Sequence, residues 1–335
     1  MQVVGETDHS ERLKKLIYLV PETAAAPARL EPQLCDPQPA SIVRAMQDCG
    51  VQVLPRISRF SRIVGRGAKV TRTMRNMVQI RGRAYMLSTS WASDSQFFWR
   101  GLFFEIVPYV YDCWPSQYHQ WLALFRRHRT RVAFVSSKGA ASSFRKNLPH
   151  TNFFWMPEAT DPGLYDPSRK LNDRRIDVLQ YGRSYTKFDE AVWSSLDGSG
   201  RNYLCSRGRA IFPRYREVCA ALADAKIVVC YPKSVTDPVS SGGLETVTLR
   251  YFETMASRAL PIGCCPGELK DLFGYNPVIE LKMERVGDQI EGVLTQIENY
   301  QELADRNLRR MHEVGSWNVR ARSILKVLEN YGYGI

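Results

Sequence analysis

Short apolar runs recur along the chain, with longer amphipathic segments between them. KLIYLV (15–20), VQVLP (51–55), AYMLST (84–89), FFEIVPYVY (103–111), RVAFVSS (131–137) and NFFWM (152–156) have the length and β-branched or aromatic content of buried strands. Segments such as PASIVRAMQDCG carry apolar residues at helical spacing and stop at a glycine. Alternation of this kind predicts a parallel sheet covered by helices on both faces. The stretch PEATDPGLYDPSRKLNDRR (157–175) has no period, is rich in Pro, Asp and charge, and reads as a linker. The alternation restarts with IDVLQYG (176–182), AKIVVCYP (225–232), ALPIGCC (259–265) and NPVIEL (276–281), and the last fifty residues read as helical. The expected fold class is therefore α/β, with two doubly wound Rossmann-like domains facing a cleft. Their boundaries fall at 1–165 and 166–315, followed by a closing helix in 316–335. Ligands of such folds bind beyond the C-terminal ends of the strands, here in the cleft.

Composition narrows the class. Apolar content of 44% and charged content of 24% over 335 residues belong to a globular chain rather than a disordered one. No apolar run approaches the ~20 residues that cross a bilayer. The opening MQVVGETDHSERLKK lacks the apolar centre of a signal peptide, so a cytoplasmic location is expected. The 8 cysteines include no CxxC pair and the 5 histidines are scattered, so no zinc pattern emerges and the cysteines read as reduced core residues.

The net charge of +12 favours polyanionic partners. It is concentrated between Cys49 and Ser93, where there is no acidic residue. Arg56, Arg59, Arg62, Arg66, Lys69, Arg72, Arg75, Arg81 and Arg83 lie there, interleaved with Ile57, Phe60, Ile63, Val64, Met74, Met77 and Val78. The stretch 56–83 is close to a basic amphipathic surface suited to an anionic membrane face. A plain solvated face is the alternative, and Gly65 and Gly67 argue against one unbroken helix. Nucleic acid ranks third, because the basic and aromatic residues match no known binding module. The aromatics of TSWASDSQFFWRGLFF (89–104) suit an interface, sugar stacking or a core helix.

The stretch GGLETVTLRYFETMA (242–256) carries the candidate chemistry. Apolar residues at 247, 251, 252, 255, 256 and 259 form one helical face, counted from Thr246 onward. Ser240, Ser241, Gly242 and Gly243 make a small, flexible loop that opens onto a helix N-terminus, where free N–H groups favour phosphate. On one continuous helix Glu245 and Glu253 would stand about 12 Å apart. They could not share a metal or a proton, but they could contact the two ends of an elongated ligand through vicinal hydroxyls. A carboxylate near the N-cap and a solvated surface glutamate are the plain structural alternative.

ETVTLRYFETMASRALPI resembles the E-x7-E signature of GT-B glycosyltransferases of the large retaining class, in which the second Glu precedes Ala-Met-Ala and a Pro-initiated strand. The RYFE ending, with Arg250, is similar to a subgroup named for spore-maturation glycosyltransferases. FFWMPEATDPGLYDP resembles that family's interdomain passage, VLQYGRSYTK the start of its second domain, and LADAKIVVCYPKS the strand before the motif loop. SWNVRARSILKVL looks like the helix that crosses back to the first domain. The resemblance is good over roughly 150–330 and faint before it.

What the resemblance implies is transfer of a sugar from a nucleotide-diphosphate donor, with retention and without a metal or other cofactor. Arg183 and Lys187 would neutralise the leaving diphosphate, and Glu253 would hold the ribose. Glu245 would lie near the donor sugar. Gly182, Gly243 and the backbone around Thr246, Val247, Thr248 and Leu249 would hold the phosphate and sugar. A surface arginine after a strand is the alternative for Arg183. Two features depart from the family. No glycine-rich turn follows the first strand in YLVPETAAAPARL, and Tyr111-Asp112 stands where a His-Asp pair is usual. Asp112 would position or deprotonate an acceptor hydroxyl, or else simply open a turn. The first domain would take the acceptor, a glycan or a lipid-linked saccharide at the cytoplasmic membrane face. The alternatives are transfer to protein or modified DNA, or a non-catalytic polyanion-binding protein on the same fold.

Overall fold

Two parallel sheets carry the described part of the chain. The computed structural model describes residues 14–19, 38–54, 82–90, 92, 100–101, 104–183, 185–196, 198–206 and 211–335. Most of the basic stretch 56–83 and most of the aromatic segment 89–104 lie outside them. The first sheet holds β1 (Lys14–Leu19), β2 (Gln52–Leu54), β3 (Arg83–Thr89), β4 (Glu105–Val110), β5 (Val132–Val135) and β6 (Asn152–Trp155). The second holds β7 (Ile176–Gln180), β8 (Tyr203–Cys205), β9 (Ala225–Cys230), β10 (Leu260–Gly263) and β11 (Ile279–Glu280). A last strand, β12 (Tyr333–Gly334), returns to the first sheet and pairs with Lys14 and Lys15 at the start of β1, while β2 pairs with Ile17, Tyr18 and Leu19 beyond it.

Both faces of each sheet are buried, which is why the strands read as continuous apolar runs. Leu16 and Tyr18 point into a core shared with helix Gln38–Asp48 and helix Trp317–Glu329. Ile17 and Leu19 point the other way, toward Trp121, Phe125 and Phe144 of helices Tyr118–Arg127 and Lys138–Asn147. The second sheet repeats this period of two. Val178, Ile227 and Val229 face Phe188, Val192 and Ile290, whereas Leu179 and Val228 face Leu222, Phe252 and Met255.

Strand order in the second sheet is β8-β7-β9-β10-β11, so the order reverses between β7 and β9. Chain leaving these two strands diverges and opens a crevice at their C-terminal ends. The chain passes between the sheets twice, after β6 and before helix Trp317–Glu329. The two passages are tied together: Thr160 donates its N–H to Gly315 O (3.0 Å), and Trp317 donates to Thr160 O (3.1 Å).

Arg174, just before β7, is only 2% exposed and has no carboxylate in direct contact among the described residues. Its guanidinium donates to the carbonyls of Ala225 (2.8 Å), Ser257 (2.8 Å), Leu222 (3.2 Å) and Arg169 (3.0 Å). Leu222 and Ser257 end helices Tyr215–Asp224 and Leu249–Ala256, so the cation sits where two helix dipoles are negative. Among the described residues no helix is long and apolar enough to cross a membrane.

Candidate functional site

A cavity of about 330 Å³ lies between the two sheets at their C-terminal ends. Residues following β4 (Asp112, Cys113, Trp114), β5 (Ser136, Ser137) and β6 (Glu158) line one side. Tyr181 and Arg183 following β7, Leu244, 246–250 and Glu253 line the other. Asp112 adopts a left-handed backbone (φ 48°), which turns the chain out of β4 toward Trp114. Desolvation against the cavity wall raises its carboxyl pKa above the ordinary value, and Arg183 and Lys233 pull it back down in part.

The helix of the motif stretch begins later than its periodicity predicts. It spans Leu249–Ala256, with Thr248 extended at its N-cap and making no side-chain cap. Two of the preceding residues are held elsewhere. Thr246 Oγ1 (3.2 Å) and the Val247 N–H (3.4 Å) both donate to the buried Glu268, and β-branched residues lose little by staying extended. Glu245 and Glu253 therefore do not share one helix. Glu245 is exposed and off the cavity wall, while Glu253 is 6% exposed, one turn into the helix. Its Oε2 accepts from Tyr181 OH (2.5 Å), and its Oε1 accepts from Tyr215 OH (2.6 Å) and more weakly from Tyr165 OH (3.4 Å).

Two guanidiniums share the wall beside this carboxylate. Arg250 stacks on the Tyr181 ring at 5.1 Å, and its buried Nε has no hydrogen-bond partner. Arg183 is pulled below its usual pKa by desolvation and then by the charge of Arg250, with Asp112, Asp237 and Glu158 opposing. Among the described residues neither lies within ion-pair distance of a carboxylate. Two adjacent cations, neither directly paired and one with an orphaned buried donor, make an anion site, although Asp112, Asp237 and Glu158 act on Arg183 from farther off. Gly182 makes room for them: its φ is +75°, and an added Cβ would stand 2.6 Å from Arg250 Nη2. Gly182→Ala is thus expected to displace the Arg250 guanidinium and weaken anion binding about tenfold, measured by titration with a nucleoside diphosphate.

The mouth of the cavity is bridged by a second set of contacts. Glu268 of helix Gly267–Phe273 accepts the Lys138 N–H (2.6 Å) at the start of helix Lys138–Asn147, and Lys138 Nζ pairs with Asp271 (2.5 Å). Burial raises the Glu268 pKa, and the N–H groups of Lys138 and Val247 offset part of that rise. Lys233, after β9, stacks on Trp114 across the cleft at 4.4 Å.

The structure thus brings Asp112, Arg183, Thr246, Val247, Thr248, Leu249 and Glu253 to one cavity. Lys187 sits exposed in the first turn of helix Thr186–Leu196 and, like Glu245, Gly182 and Gly243, is not on the cavity wall. Gly242 and Gly243 both have positive φ (57° and 72°) in the loop that turns toward the motif. Sequence reasoning missed Arg250 as a site residue, together with Tyr181, Trp114 and Glu158. Arg250 stands in the quoted RYFE, but only the fold shows that it meets Gly182 and Arg183.

No protein-family model matches the chain, and no curated protein matches it. Solved structures do. A sucrose-phosphate synthase from Thermosynechococcus elongatus superposes with a TM-score of 0.61 at 11% identity, over 95% of this chain and 99% of that one. Anabaena HepE in complex with UDP and glucose gives 0.57 at 11%, over 95% and 100%. A glycosyltransferase from Rickettsia africae gives 0.56 at 10%, over 95% and 98%. With two parallel-sheet Rossmann-like domains and a cleft between them, the chain has the GT-B fold.

Proposed function

We propose that the chain is a glycosyltransferase of the retaining E-x7-E kind, moving a sugar from a nucleotide-diphosphate donor to an acceptor hydroxyl. One observation carries this reading: Arg183 and Arg250, neither in a direct ion pair among the described residues, stand beside the buried Glu253 in a cleft between two Rossmann-like domains. Glycosyl transfer breaks the bond between the anomeric carbon and the diphosphate oxygen, so negative charge grows on the leaving group. Fixed cations in a partly dry site stabilise that charge without reorganising, which is how a protein lowers such a barrier without a bound metal. Glu253 takes the vicinal ribose hydroxyls, and 246–249 face the phosphates and sugar. Arg250 takes the part that the family resemblance gives to Lys187. HepE, which shares the fold, was crystallised with UDP and glucose, and this supports a nucleotide-sugar donor here.

Across the cavity, Asp112 faces the acceptor side, where its carboxylate orients the acceptor hydroxyl or takes its proton. A glycan or lipid-linked saccharide is the acceptor class that the basic stretch 56–83 favours, through an anionic membrane face. Of that stretch the described residues include Gly82 and Arg83, both exposed. Thermal-shift screening against UDP-, GDP-, ADP- and TDP-sugars tests the donor: one base series is expected to raise the melting temperature, since a ligand that binds only the folded state stabilises it. The matching donor should then be turned over in the presence of acceptor. A flat response to all four series contradicts the proposal.

A further inference from the structure

Glu253 is reached by a hydrogen-bonded chain that starts in the first domain. Trp317 Nε1 can only donate, and it donates to Gln38 Oε1 (3.0 Å). That contact fixes the orientation of the Gln38 amide, so its Nε2 faces three hydroxyls: Thr160 (2.8 Å), Tyr215 (3.0 Å) and Tyr165 (3.3 Å). With its oxygen taken as an acceptor by Gln38, Tyr215 turns its own proton onto Glu253 Oε1 at 2.6 Å. Tyr165 and Tyr215 lie 2.5 Å apart, and Tyr165 also meets Thr160 at 2.9 Å. The hydroxyls of Tyr215 and, more weakly, Tyr165 bring the series to the carboxylate. Gln38, Thr160, Tyr165 and Trp317 are all nearly or fully buried, so the chain is shielded from competing water.

The members belong to different bodies. Gln38 opens a helix of the first domain, and Trp317 opens the returning helix. Thr160 and Tyr165 lie in the passage between domains, whereas Tyr215 and Glu253 belong to the second. The Gln38–Tyr215 contact therefore spans the two domains, so a rotation between them would alter it. In the arrangement seen here, Gln38 of the first domain reaches the Tyr215 hydroxyl that donates to the carboxylate.

We infer that Gln38 and Tyr215 are positioning residues that couple the domain arrangement to the grip of Glu253 on the donor's ribose. The inference rests on the glycosyltransferase reading and deepens it. In this view the first domain contributes to ribose recognition without touching the nucleotide.

The test compares Gln38→Leu and Tyr215→Phe with the wild-type protein, using a ribonucleoside diphosphate and its 2′,3′-dideoxy analogue in calorimetric titrations. The wild type is expected to prefer the ribo form by at least about tenfold, the factor equivalent to one charge-assisted hydrogen bond. Each variant is expected to lose most of that preference while binding the dideoxy form within about twofold of wild type. The double variant should lose no more than either single one. A purely structural role would weaken both ligands alike, and that result, or a ribo preference unchanged in both variants, overturns the inference. Glu253→Gln separates it from the reading beneath it. If this change also leaves the ribo preference intact, the ribose assignment itself is wrong; if it abolishes the preference while Gln38→Leu and Tyr215→Phe do not, only the coupling fails. Tyr215→Phe keeps the ring and its packing, so the measurement stands even if Gln38→Leu fails to fold.

Discussion

Arg183→Ala is expected to lower kcat by roughly 10²–10³-fold, the usual cost of deleting one fixed group that stabilises charge in a transition state. The residue follows β7 at the point where strand order reverses, and nothing among the described residues neutralises it at ion-pair distance. Desolvation and then Arg250 lower its pKa, Asp112, Asp237 and Glu158 offset part of that, and an incoming diphosphate would favour the charged form further. Lysine should recover only part of the rate, because an ammonium cannot offer two parallel donors to a phosphate. Steady-state rates with the matching donor decide the matter, and an unchanged kcat removes Arg183 from the chemistry. Glu253→Ala should act differently. It should weaken binding of the nucleoside diphosphate about tenfold or more, while freeing the Tyr181 and Tyr215 hydroxyls in a buried site.

Arg174→Leu is expected to destabilise the second domain by about 3–5 kcal/mol. The guanidinium is the shared donor for four carbonyls from three separate places in the chain. Leu222 O keeps the capping N–H of Ala225, but removing the guanidinium strips the side-chain donor from the others, at ~1–3 kcal/mol for each oxygen left unpaired before any relaxation. Burial pulls the Arg174 pKa down to about 10, with Arg258 adding to the effect, so the group is still charged at neutral pH. Arg174→Lys should lose about half as much, since three donors on one atom cannot span the same carbonyls. The thermal midpoint should fall by about 10 °C for leucine, at ~2–4 °C per kcal/mol. A midpoint within 2–3 °C of wild type would show that water takes over the carbonyls.

The alternation of apolar runs made the two-sheet architecture legible, because strands buried on both faces need no partner to look like strands. IDVLQ and AKIVVC are such cases. Tyr203–Cys205 and Tyr333–Gly334 were not legible. The first is a three-residue edge strand, and the second is a two-residue strand that exists only because the start of β1 offers it a partner. The late helix start at Leu249 has a similar cause, since Glu268, distant in sequence, captures Thr246 and Val247. Arg183, Asp112 and Glu253 could be singled out by motif and strand-end position. The partnership of Arg250 with Arg183, and the three tyrosines on Glu253, could not. Local spacing carries no record of which loops meet.

Helix Trp317–Glu329 and β12 finish the first sheet although they are made last. During synthesis, Leu16, Tyr18, Met86 and Tyr109 leave the ribosome long before Trp317, Ile324 and Leu328, which cover them. The N-terminal lobe must therefore wait, one apolar face covered only in part by helix Gln38–Asp48, while the C-terminal lobe is translated. Maturation runs from the middle of the polypeptide outward, and the nascent protein depends on a holdase, or on the second lobe folding fast, to keep that face from sticking.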